Sequence, residues 1–80
     1  MLTKYLQAAM RRAHYEMDKS PKRFYGEIAD CRGGWATGPT LDECREELES
    51  ALEDWILFRL SRQLPIPAID GMELAVREVA

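Results

Sequence analysis

The sequence predicts an α+β fold: a small antiparallel-rich sheet of three to four strands, covered by one long helix. Three observations predict it. Apolar residues recur at helical spacing from Leu41 to Trp55, behind a sharp helix start. Before that helix, His14 to Asp18 and Arg23 to Ile28 alternate polar and apolar residues, as half-buried strands do. Between these stretches Gly, Pro and Ser punctuate the chain. The expected order is α-β-β-β-α-β, within one domain spanning residues 1–80.

Leu2, Tyr5, Leu6, Ala9, Met10 and Ala13 share a helical spacing and predict a first helix over roughly 4–11, with Thr3 as its cap. The first strand follows, and Lys19-Ser20-Pro21-Lys22 reads as the turn of a hairpin. In the second strand Phe24 and Ile28 share one face, while Tyr25 and Glu27 share the other. Gly26 falls on the Phe24 face, which marks a bulge or a close backbone approach. Asp30 to Gly34 is a loop, Trp35-Ala36-Thr37 a short third strand, and Gly38-Pro39 its end.

Thr40 with Glu43 forms a capping-box pattern, and Asp42 and Glu43 suit the positive end of the helix dipole. Arg59 and Arg62 suit the negative end. Leu41, Cys44, Leu48, Ala51, Leu52 and Trp55 form the stripe expected to pack on the sheet. Beyond Asp54 the helix is apolar almost all round, which predicts burial on more than one side. Leu64-Pro65-Ile66-Pro67 must run extended, Asp70-Gly71 is a turn, and Met72, Leu74 and Val76 alternate as a fourth strand.

Eighty residues bury only about 60% of their unfolded surface, so oligomerisation is an attractive way to complete the core. The two cysteines supply no metal motif. No apolar run is long enough to span a bilayer. The N-terminus lacks signal-peptide order, since Arg11-Arg12 follows its apolar stretch, and a cytoplasmic protein is expected. The net charge of −3 conceals an asymmetry. Residues 1–23 carry six bases against two acids, and residues 24–54 carry nine acids against two bases. That acidic middle repels phosphates and suits a basic protein partner, or serves solubility alone. The six N-terminal bases lack interleaved aromatics and are a weak nucleic-acid signal.

The chemistry-bearing residues are sparse. Cys44 falls on the apolar stripe and reads as a core thiol, whereas Cys31 in a loop can be exposed and somewhat reactive. His14 can serve as a base but has no nucleophile at a telling spacing, so a structural or exposed role fits better. Glu16, Asp18, Glu27 and Asp30 could gather around a divalent cation in a nuclease-like enzyme, although alternating strand acids are usually a solvated face. Gly33-Gly34 matches no phosphate-binding loop. A purely structural oligomer is the third reading.

The segments Phe24-Tyr25-Gly26-Glu27-Ile28, Trp35-Ala36-Thr37-Gly38 and Thr40-Leu41-Asp42-Glu43-Cys44, with the Leu48, Leu52 and Trp55 helix, resemble the HicB-like antitoxin family. Ala13-His14-Tyr15-Glu16 and Leu64-Pro65-Ile66-Pro67 are also similar to it, so the resemblance covers nearly the whole chain. Arg32-Gly33-Gly34 stands where the family usually has Pro-Gly. The resemblance implies a truncated ribonuclease H-like sheet without nuclease activity or cofactor, which binds and silences a small basic HicA-type ribonuclease toxin. Many relatives add a C-terminal DNA-binding domain. The chain ends at Ala80, so direct DNA binding by it is not expected. On this reading Glu27, Asp30 and Trp35, with Glu46, Glu49 and Glu53, form the partner face. Trp55, Phe58 and Leu60 contribute core and subunit contacts in a dimer or tetramer.

Overall fold

The computed structural model describes residues 2–19 and 22–74. Its elements are α1 (Leu2–Arg11), β1 (His14–Lys19), β2 (Lys22–Glu27), β3 (Trp35–Gly38) and α2 (Leu41–Ser61). The strands form one antiparallel sheet in the order β1-β2-β3. This is the predicted α+β arrangement. The expected hairpin turn falls partly on residues 20 and 21, which lie outside the described residues.

The period of two decides the two faces of the sheet. Tyr15, Gly26 and Ala36 stand in one cross-strand row, and Met17, Phe24 and Gly38 in another. Both rows face α2. The opposite face carries the rows His14, Glu27, Trp35 and Glu16, Tyr25, Thr37.

α2 starts where Thr40, in extended conformation, accepts the Glu43 backbone N–H on its hydroxyl at 3.1 Å. That is the Thr40 half of the predicted capping box, and it satisfies one orphan donor of the first turn. Cys44, Leu48, Leu52 and Ile56, each four residues on, are fully buried. Leu48, Leu52 and Ile56 meet Ile28, Cys31 and Ala36 from the sheet side, and Tyr5, Ala8 and Ala9 from α1. Leu41 does not join this stripe: it is 47% exposed at the helix start.

Gly38 and Gly26 let the helix sit this close. A Cβ on Gly38 would fall 2.7 Å from the Cys44 backbone nitrogen. One on Gly26 would fall 2.8 Å from the Tyr15 ring and 3.3 Å from the Cys44 sulfur. The close approach anticipated at Gly26 is therefore real. The Cys44 thiol in turn points at the Ala36 carbonyl, 3.6 Å away.

α2 ends with Gln63 in the left-handed region (φ 56°) and the Leu64 N–H bonded to the Arg59 carbonyl at 2.9 Å. The prolines then carry the chain back over α1, where the buried Tyr5 hydroxyl donates to the Pro67 carbonyl. Asp70-Gly71 makes the expected turn, with φ of 51° and 76°. The fourth strand does not form among the described residues. Ile69 and Met72 bond each other, N–H to carbonyl at 3.1 and 2.8 Å, so these groups are not free to extend the sheet. Residues 75–80 of that expected strand lie outside the described residues. The apolar end of α2 is also less enclosed than predicted. Trp55 and Leu60 pack half-buried against the core, whereas Leu57 and Phe58 are 55% and 52% exposed.

Two substitutions probe this frame. Gly38→Ala forces a methyl into helix backbone and should cost about 1–3 kcal/mol, seen as a lower midpoint in thermal unfolding by circular dichroism. An unchanged midpoint would mean α2 does not sit at this distance. Thr40→Ala should cost about 1 kcal/mol through the lost cap.

Candidate functional site

No element of the described chain covers the outer face of the sheet, and its side chains are organised. Trp35 is 55% exposed and stacks on Tyr25, ring centroids 6.0 Å apart and planes 25° apart. The Tyr25 hydroxyl donates to Glu27 at 3.2 Å. Partial desolvation, and then the Glu27 and Glu16 carboxylates, push the Tyr25 pKa up, so the phenol stays protonated and keeps donating. Glu27 is the direct cross-strand partner of Trp35, which sets its carboxylate beside the indole. On the flank, Arg23 donates to the Thr37 hydroxyl at 3.0 Å, and His14 lies 3.4 Å from Glu16. A hollow of 250 Å³ opens beside this stack, lined by Tyr25, Glu27 and Trp35 and by Arg32 and other residues of the loop after β2.

α2 presents the second surface. From Leu41 to Ser61 it carries seven acids against two arginines, and all seven acids are exposed. Among the described residues none of these seven is in an ion pair. Asp42, Glu49 and Glu53 turn toward α1, where with Leu6, Met10 and Arg45 they line a groove of 610 Å³.

The predicted partner residues therefore fall in three places. Glu27 and Trp35 share the open sheet face. Glu46, Glu49 and Glu53 lie on α2, which packs on the other face of that sheet. Asp30 belongs to neither group: it accepts from Arg12 at 3.0 Å on the rim near the α1 end. Of the predicted subunit-contact residues, Phe58 is on the surface. Trp55 is tied inward by its indole N–H, which donates to the Arg32 carbonyl at 2.7 Å. The acids of the metal reading are not gathered either. Among the described residues no group of three or more His, Cys, Asp or Glu converges on one point.

A family model described as UPF0150-like matches residues 4–67. The chain belongs to the UPF0150-like family. It is also similar to the crystal structure of TTHA0281 from Thermus thermophilus, with 47% identity and a TM-score of 0.84, over 96% of this chain and 95% of that one. Among curated proteins none matches it. No described helix of this UPF0150-like chain is long and apolar enough to cross a membrane.

Two features of this UPF0150-like domain escaped sequence reasoning. Arg12 bridges Asp30 at 3.0 Å and Asp70 at 2.7 Å, clipping the end of α1 to the loop after β2 and to the C-terminal turn. The hydrogen bond from Arg12 holds the Asp70 carboxyl below its usual pKa. Cys31, which as a loop residue could be exposed and somewhat reactive, is fully buried, because the Ile28–Gly34 loop folds inward under Tyr5 and α2. Burial pushes both the Cys31 and the Cys44 thiol up, and thiols that stay protonated are poor nucleophiles. The Cys44 core reading stands.

The thiol prediction is direct. At pH 8 a disulfide reagent should leave Cys31 and Cys44 unmodified in the native protein and titrate two thiols per chain in denaturant. Asp70 predicts a pH dependence. A depressed carboxylate stabilises the fold above its unfolded pKa and loses that contribution as pH falls through its lower folded value. Asp70→Asn should therefore unfold more easily than the wild type at neutral pH, by a small margin since the pair is exposed. The two midpoints should converge below about pH 4.

Proposed function

We propose that this UPF0150-like chain is a non-enzymatic, antitoxin-like module that works in the cytoplasm. It binds a small basic ribonuclease toxin of the HicA type and silences it by covering it. The observation that carries the reading is the ridge of seven exposed acids on α2, none of them in an ion pair among the described residues. Such a ridge raises the encounter rate with a cationic partner and repels nucleic acid. The resemblance of the Phe24–Leu60 stretch to HicB-like antitoxins supports the same partner class. Catalysis is not part of the proposal.

The module assembles as a dimer or tetramer. Phe58 and Leu57 are large apolar side chains left on the surface at the end of α2, and a subunit contact there removes them from water. Trp55 and Leu60 support that end from within.

The test is co-expression with the adjacent small open reading frame, followed by affinity capture and a ribonuclease assay. A basic protein of toxin size should co-purify and lose its activity in the complex. Absence of any such neighbour, or its failure to bind, removes the antitoxin reading. If it binds, replacing Glu46, Glu49 and Glu53 together by Lys should slow association about 10-fold or more at low salt. Light scattering on a size-exclusion column checks assembly: a strictly monomeric protein contradicts it.

A further inference from the structure

The open sheet face carries a device that the acidic ridge does not explain. Two aromatic rings on α2 already bear arginines of the same chain. The Arg59 guanidinium lies 4.7 Å from the Trp55 ring centroid, and that of Arg62 lies 5.2 Å from the Phe58 centroid. Trp35 is the most exposed aromatic of the described residues, and among them no cation lies over it. A carboxylate stands next to it nonetheless. Glu27 is its cross-strand neighbour and receives the Tyr25 hydroxyl on one oxygen, Oε2, which fixes the carboxylate and leaves Oε1 to accept another donor. The hollow of 250 Å³ adjoins the ring and has room for a side chain.

We infer that Trp35, Tyr25 and Glu27 form a receptor for a single guanidinium group, an arginine side chain of a basic partner protein. The planar cation stacks on the indole, whose electron-rich face attracts it. Its N–H groups donate to the free oxygen of Glu27 while its plane stays on the ring, and a lysine has no such plane to stack. Glu16 adds negative charge from β1, on the far side of Tyr25. Arg23 is turned to Thr37, and Arg32 itself lines the hollow, so a cation is favoured on the Glu27 side of the indole and not against the loop. Stacked aromatics on a sheet can also receive nucleic-acid bases. The carboxylates Glu16, Asp18 and Glu27 on this face disfavour a phosphate backbone. The inference rests on the proposal of a basic protein partner and names the group it inserts.

The test follows the two indole N–H signals by NMR, the Trp35 signal assigned by its loss in Trp35→Phe. The probe is a hexa-arginine peptide, compared with hexa-lysine, a neutral glutamine peptide and a short single-stranded oligonucleotide. Hexa-arginine should move the Trp35 signal and leave Trp55, which is bonded to the Arg32 carbonyl. Glu27→Gln should weaken that binding about 5-fold or more, and so should Trp35→Ala when followed at the backbone amide signals of β2 and β3; hexa-lysine should bind more weakly than hexa-arginine. Three results overturn the inference: shifts confined to α2 amides, equal affinity in Glu27→Gln, or movement of the Trp35 signal by the oligonucleotide. The two readings fail separately. A captured toxin that binds both variants as tightly as wild type sinks this receptor and leaves the antitoxin reading standing. Specific arginine binding without any toxin does the reverse.

Discussion

The seating of α2 on the sheet at Gly38 and Gly26 is the contact on which the rest of the structure depends. Strand end, turn and helix start are compressed into three residues, Gly38, Pro39 and Thr40. Gly38 lies against the Cys44 backbone, and Thr40 caps the helix that brings Cys44 there. The contact sets the depth at which Cys44, Leu48, Leu52 and Ile56 enter the core. A helix held farther out would leave voids along this stripe, and a chain this small has no second core to compensate.

A single helix can cover one face of a three-stranded sheet. α1 and the C-terminal segment close the end of the core, through Tyr5, Ala8, Ala9 and Ile69, and do not reach the outer face. Among the described residues that face is bare, as a consequence of the architecture. A bare face need only be polar to stay soluble, and much of this one is: Glu16, Asp18 and Arg23 serve that purpose. The Trp35 and Tyr25 pair does not, because a more than half-exposed indole costs solvation and gives the isolated fold little in return. That imbalance is why the proposed receptor is set on the pair and not on the acids around it.

What was legible in the sequence was local. The periodicities placed both helices and the first three strands, Thr40 and Glu43 marked the start of α2, and Gly26 in the middle of a strand signalled a close approach. What was not legible depends on contacts distant in sequence. Cys31 looked like an exposed loop residue, and its burial comes from Tyr5 and α2 folding over the loop. The alternation of Met72 and Leu74 promised a strand, yet the turn at Asp70-Gly71 pairs Met72 with Ile69 before any sheet edge is available. The Arg12 bridge joins residues 18 and 58 positions away, and no periodicity reports that. For the candidate site, alternation put Tyr25 and Glu27 on one face, but only the register adds Trp35 to them and separates all three from Glu46, Glu49 and Glu53.

That separation constrains how the proposed partner is held. The acidic ridge and the aromatic pair look in opposite directions across a helix layer and a sheet layer, so a compact rigid partner makes direct contact with one at a time. Their roles then divide by range. The exposed charges on α2 act through solvent, over a screening length of about 8 Å at physiological salt, and so govern approach. Trp35 and Glu27 act at contact and so govern retention. A partner seated on the sheet face leaves the α2 ridge on the far side of the domain, beyond the screening length, so the charge that hastens the encounter adds little to retention.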